Sequence, residues 1–180
     1  MIKAGIGMLL ETISDALGER MESTYSKKIK DEINKIENVE GAYDLVVHSY
    51  GPENKIGSVE IEISDQLSPM AIYRTTLIVR EQIEKTFGII LSIGICVKNT
   101  QKGPEFDYEQ KIRALILKQE HVISIHGFYT DFDRKKTTFH AVLDFVIQDI
   151  EGYNQELVNL LKAYDPSFEY MVVMDINYSD

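Results

Sequence analysis

The stretch Ser58-Val59-Glu60-Ile61-Glu62-Ile63, followed by Ser68-Pro69, decides the fold. Val59, Ile61 and Ile63 alternate with Glu60 and Glu62, the period of a half-buried strand with one wet face. Ser68 before Pro69 is a helix start, because a capping hydroxyl precedes a ring whose missing N–H is not needed there. Ile72, Thr76, Val79, Ile83 and Phe87 then carry a buried helical stripe, and Gly88 stops the helix. Leu91, Ile93, Ile95 and Val97 make the strand that follows. Upstream, Leu45 and Val47 mark an earlier strand, joined through the turn Gly51-Pro52-Glu53-Asn54. Before that, Ile29, Ile33 and Ile36 lie at helical spacing among lysines and glutamates, and Gly41 breaks that helix. From Ser23 the order is therefore helix, strand, strand, helix, strand.

The same order then repeats. Asn99 to Glu105, with Gly103 and Pro104, reads as a linker. Ile112, Leu115 and Ile116 form the next helix, and Ile123 and Ile125 lie in the next strand. Asp131-Phe132-Asp133 lead into a turn, and Phe139, Ala141, Leu143 and Phe145 alternate in the strand beyond it. Leu157, Leu160, Leu161 and Tyr164 stripe a helix that ends before Pro166. Val172, Met174 and Ile176 build the last strand. Two strands that hairpin, then a helix that crosses to a third, give a three-stranded sheet with helices on one face. The fold class is thus α+β, as two tandem αββαβ modules of the ferredoxin-like, metallochaperone-like kind, over residues 23–99 and 106–180. Residues 1–22 read as an N-terminal helix, either the stub of a last membrane helix or an amphipathic helix that docks on a partner.

Of the 180 residues, 29 are acidic and 19 basic, a formal charge of −10 that leaves no basic face for nucleic acid or anionic lipid. Divalent cations suit such a surface better. The single cysteine, Cys96, rules out an internal disulfide and a cysteine-built zinc cluster. Met1 to Leu10 is apolar but too short to span a bilayer, and it lacks the cleavage site of a signal peptide.

Gly41-Ala42-Tyr43-Asp44-Leu45-Val46-Val47-His48-Ser49-Tyr50-Gly51-Pro52 resembles the stretch that opens the cytoplasmic domain of the cation diffusion facilitator family. Ser58 to Ile63 is similar to a strand of that domain, and Gly7 to Leu17 to the end of the family's sixth membrane helix. Ser124-Ile125-His126-Gly127-Phe128, Val142-Leu143-Asp144-Phe145 and Val173-Met174-Asp175 resemble an extra domain of some bacterial members. This resemblance implies the cytoplasmic dimerisation and regulatory region of a divalent metal efflux transporter, a proton-coupled antiporter when full length. It implies a homodimer, joined to its own transmembrane domain at the cytoplasmic face of the cell membrane, with zinc or manganese as the divalent metal ion.

At the positions matching the family's first-module ligands stand Tyr43, Glu60, Tyr73, Gly94 and Cys96, so that module has lost the usual zinc donors. Asp44, Glu60 and Glu62 would suit a harder cation, although Glu60 and Glu62 also fit a strand's wet face. The second module is richer. His126 and His140 match the family's histidine positions. His140 and Asp144 are four apart on a strand and point to the same side, and Asp175 and Asn177 face away from Met174 and Ile176. The candidate metal set is therefore His126, His140, Asp144 and Asp175, whose alternation is also that of any solvated sheet face. His48 reads as structural and His121 as an exposed strand start. No nucleophile elbow, phosphate-binding glycine loop or cysteine–histidine pair is present, so the chain is not expected to be an enzyme. The alternative is a stand-alone ferredoxin-like ligand-binding regulatory protein, which has the same architecture.

Overall fold

The computed structural model describes residues 23–50, 54–144 and 146–176. The expected N-terminal helix over 1–22, Gly51-Pro52-Glu53 of the first turn, Phe145 and Asn177 lie outside them. In chain order the elements are α1 (Ser23–Ile33), β1 (Gly41–Ser49), β2 (Lys55–Ser64), α2 (Pro69–Phe87) and β3 (Ile89–Lys98). These are followed by α3 (Pro104–Ile116), β4 (Val122–Asp131), β5 (Lys136–Leu143), α4 (Ile150–Tyr164) and β6 (Glu169–Ile176). Two αββαβ repeats result, each with a three-stranded sheet ordered β1-β2-β3 or β4-β5-β6. Among the described residues, contacts gather the chain into two compact units, one over 23–61 and 68–95 and the other over 62–67 and 96–176.

In the first unit the alternating strand behaves as its pattern demands, with Val59 and Ile61 buried, as are Ile89 and Leu91 of β3. Each such side chain contributes about 1.5–3 kcal/mol relative to exposure. Ser68 Oγ accepts from Ala71 N at 3.2 Å with Pro69 in the first turn, and Gly88, at φ 66°, closes α2 by donating to Glu84 O. Thr76, Val79 and Ile83 of the expected stripe are buried, whereas Ile72 and Phe87 are only half-buried. Gln82 Nε2 donates to Glu32 Oε1 at 3.0 Å, tying α2 to α1, and Tyr25 meets Phe87 edge-on.

Two boundaries differ from the sequence expectation. α1 ends at Ile33, not at Gly41, because the chain tightens through Ile36 N→Ile33 O and reverses at Asn38, in the left-handed region at φ 71°. Asparagine is one of the few side chains that tolerate that region. Gly41 opens β1 instead. Pro104 and Glu105, read as linker, are the first residues of α3, another use of proline where a helix needs no N–H.

The second unit buries Ile112 and Ile116 of α3 and Leu157 and Leu161 of α4 against Ile125, Phe128, Phe139, Ala141, Tyr170 and Val172 of the sheet. Both helices therefore cover the same sheet face. β5 pairs antiparallel with β4 and parallel with β6, as a helical crossover requires. Tyr164, expected in the α4 stripe, is 48% exposed at the end of that helix.

A polar knot also belongs to this unit. Glu109 and Glu62 are buried, although Glu62 was expected on a wet face. Arg113 Nε lies 2.7 Å from Glu109 Oε1, Nη1 donates to Ile125 O at 2.8 Å, and Nη2 lies 3.9 Å from Glu62 Oε1. Lys98 Nζ stands 3.8 Å from Glu62 Oε2, and Asn99 Nδ2 donates to Glu109 Oε2. Burying carboxylates requires such partners, which is why Glu62 leaves the solvent.

Candidate metal centre

The site is built on the sheet face opposite the helices. In β5, Thr137, Phe139, Ala141 and Leu143 point inward, which sends His140 the other way. In β6, Tyr170 and Val172 point inward and Asp175 outward. His140 pairs across the parallel ladder with Val173, and Asp175 lies two residues further along β6. That is a diagonal relation within reach of long side chains.

β4 reaches the same face by a less regular route. It has 10 residues against 8 in β5, and the register absorbs the difference as two irregularities. Between Val122↔Leu143 and Ser124↔Val142 the extra residue is Ile123, which is 49% exposed for that reason. Between His126↔His140 and Tyr129↔Thr138 the extra residue falls at Gly127, at φ 60°. A glycine in the left-handed region is the usual first residue of a β-bulge, because a Cβ there is strained. With Gly127 taken up in this way, Ile125 and Phe128 both face the core while His126 faces His140.

The three side chains converge. His140 Nδ1 is 2.8 Å from Asp175 Oδ2, and His126 Nε2 is 3.8 Å from the same oxygen. The two imidazole centroids are 4.8 Å apart, with planes tilted by 37°. His126, His140 and Asp175 each offer a ligand atom within 4.8 Å of the others, a cluster positioned to chelate a divalent cation. His126 is fully buried, whereas the side chains of His140 and Asp175 keep about a quarter of their surface open, at 26% and 25%. Zinc bonds of about 2.0–2.1 Å place neighbouring tetrahedral donors about 3.3 Å apart, between the 2.8 and 3.8 Å separations that His140 and His126 keep from Asp175 Oδ2.

Asp144 is held elsewhere. β5 ends at Leu143, so the pleat no longer sets the direction of the next side chain. Asp144 N donates to His121 O, its Oδ2 lies 2.9 Å from His121 Nδ1, and its Oδ1 accepts from Val146 N. The hydrogen bond to His121 holds the Asp144 carboxyl below its usual range, and the same bond raises the His121 imidazole. His121 sits in the left-handed region at φ 73°, where the chain turns into β4. His48 is exposed, Tyr73 is 58% exposed on α2, and Glu62 is turned to Lys98 and Arg113. In the first unit Gly94 leaves room for Glu60, whose Cγ would lie 3.2 Å from a Cβ added there.

No family model matches this chain, and no curated protein matches it in sequence. Among solved structures it has a distant likeness to MamM-CTD H285A, with a TM-score of 0.36 and 10% identity over 42% of this chain and 94% of that one. A second likeness, to the crystal structure of APE1850, has a TM-score of 0.23 and 15% identity over 82% of this chain and 95% of that one. Both scores are too low to assign a family by shape. Among the described residues no helix is long and apolar enough to cross a membrane.

Proposed function

We propose that this chain is the metal-responsive cytoplasmic region of a divalent cation efflux transporter of the cation diffusion facilitator type, with the second unit as its sensor. The observation that supports this most is the convergence of His126, His140 and Asp175 from three different strands. The resemblance of Gly41–Pro52 and Ser58–Ile63 to that family's cytoplasmic domain supports the transporter context. In this reading the chain pairs as a homodimer at the cytoplasmic face of the membrane, joined to its own transmembrane domain, and the full-length protein exchanges metal for protons.

Two imidazole nitrogens and one carboxylate oxygen favour zinc over magnesium or calcium, which prefer all-oxygen sets, and they also accept manganese. Ligation needs both histidines neutral, so binding weakens as they protonate. His126, inside the sheet face, fixes one donor.

Calorimetry with zinc and with manganese tests the proposal. Heat is expected from wild type and from Asp144→Ala, and none from the His126→Ala, Asp175→Ala double variant. Absence of heat from wild type disposes of the sensor. Sedimentation of the same samples tests the dimer, which is contradicted by a monomer at every concentration with and without zinc.

A further inference from the structure

We infer that the second unit binds a small zwitterion, a free amino acid with an apolar side chain, in a cavity between the start of α3, the β4–β5 turn and the end of α4. The cavity measures about 670 Å³, within the roughly 300–1,000 Å³ typical of small-molecule sites. Its walls carry aromatic surface and charge of both signs: Tyr108, Phe132 and Tyr164 on one hand, Asp107, Asp165 and Lys111 on the other.

The charges select the ligand. Among the described residues, neither Asp107 nor Lys111 has an ion-pair partner. Asp165 Oδ1 accepts from Ser167 N and Oγ, which fixes the carboxylate at the end of α4. The helix terminus there adds negative partial charge from its last carbonyls. Asp107 and Asp165 both line the cavity, so an ammonium group is favoured there. A simple anion such as phosphate is disfavoured by the same two carboxylates, and Lys111 provides for a carboxylate on the ligand. A molecule bearing both groups answers all three charges.

The rings supply the rest. Tyr108 stacks on Phe168 at 4.8 Å, and Phe132 meets both rings edge-on at 5.4 Å. This aromatic group already accommodates one ammonium, since Lys135 Nζ lies 4.9 Å from the Phe168 centroid and 5.6 Å from that of Phe132. Tyr108 is held in place by its hydroxyl contact with Tyr170 at 2.8 Å. Such a platform offers apolar area for a side chain and a negative ring face beside the ammonium. None of these residues belongs to the proposed metal centre, so this site stands or fails independently of it.

The test is a nitrogen-15 NMR titration of the 180-residue protein with L-phenylalanine, with phenethylamine and phenylpropionate as analogues lacking one charge each. Shifts are expected at Asp107, Tyr108, Lys111, Phe132 and Tyr164, with both analogues weaker than the amino acid. Lys111→Met should weaken L-phenylalanine by about two- to fivefold and leave phenethylamine unchanged, while Lys111→Arg keeps full binding. Tyr164→Leu should weaken both by about two- to fivefold. Lys111 and Tyr164 are exposed, so these variants keep their fold. No shifts at the cavity overturn the inference, as does phenethylamine binding as tightly as L-phenylalanine, or a Lys111→Met variant that binds like wild type.

Discussion

Replacing Arg113 by methionine would remove the cation that makes two buried carboxylates tolerable. The guanidinium contacts Glu109 Oε1 at 2.7 Å, Ile125 O at 2.8 Å and Glu62 Oε1 at 3.9 Å, and it lies 5.4 Å from the Phe128 centroid. Glu109 is 1% exposed and Glu62 4% exposed, so neither carboxylate can turn to solvent. Asn99 still reaches Glu109, and Lys98 still faces Glu62, but at 3.8 Å. Breaking a buried pair by removing one partner costs about 3–5 kcal/mol. With a urea slope of about 2–3 kcal/mol per M, the unfolding midpoint should fall by about 1–2.5 M. Arg113→Lys keeps a charge but loses the fork that reaches three oxygens at once, so it should fall between. Adding Glu109→Leu to Arg113→Met should recover part of the loss, because an apolar pair leaves no carboxylate stranded. A midpoint for Arg113→Met close to that of wild type would refute the reasoning and would mean that the glutamates find other partners.

Two further predictions concern β4 and its start. Gly127→Ala should cost about 1–2 kcal/mol by urea unfolding, since φ is 60° and the new Cβ would stand 3.3 Å from His140 Cδ2. It should also weaken zinc binding in calorimetry; unchanged affinity would detach the bulge from the site. His121 is raised above its ordinary 6.5 by its bond to Asp144, so its stabilisation is complete below that value and is lost as pH climbs through the folded pKa. Asp144 is lowered from its ordinary 3.8, so its share is present above that value and is lost as pH falls through the folded pKa. The Tm advantage of wild type over Asp144→Asn should therefore shrink as pH rises above 6.5. An advantage that stays constant across that range would contradict the pairing.

What could be read in advance was what is local in sequence. Val59, Ile61 and Ile63, and likewise Phe139, Ala141 and Leu143, keep a clean period of two. Ser68-Pro69 and Gly88 are caps that work through neighbouring backbone atoms, and the repeat of the whole pattern fixed the class. Three of the four proposed metal donors also come together, because His140 and Asp175 sit in regular strands.

The misreadings arise where a distant or irregular element intervenes. Glu62 looked wet because its alternation said so, but its partner Arg113 lies 51 residues further on. Ile123 and Gly127 break the period of β4, and periodicity alone cannot say which residue is the extra one. Asp144 follows the last paired residue of its strand, where counting by twos no longer gives a direction. The left-handed Asn38 ended a helix that its isoleucines seemed to prolong. The aromatic cavity gave no signal at all, since its walls come from three separated segments.

The unequal lengths of β4 and β5 have a bearing on how this molecule can change over generations. Ile123 and Gly127 are surplus to the hydrophobic alternation, for with either one removed the remaining residues still alternate correctly between core and open face. Loss of a single codon at either point therefore keeps Ile125 and Phe128 on the core face and His126 on the open one. A lineage could thus gain or lose either residue without passing through an unfolded ancestor.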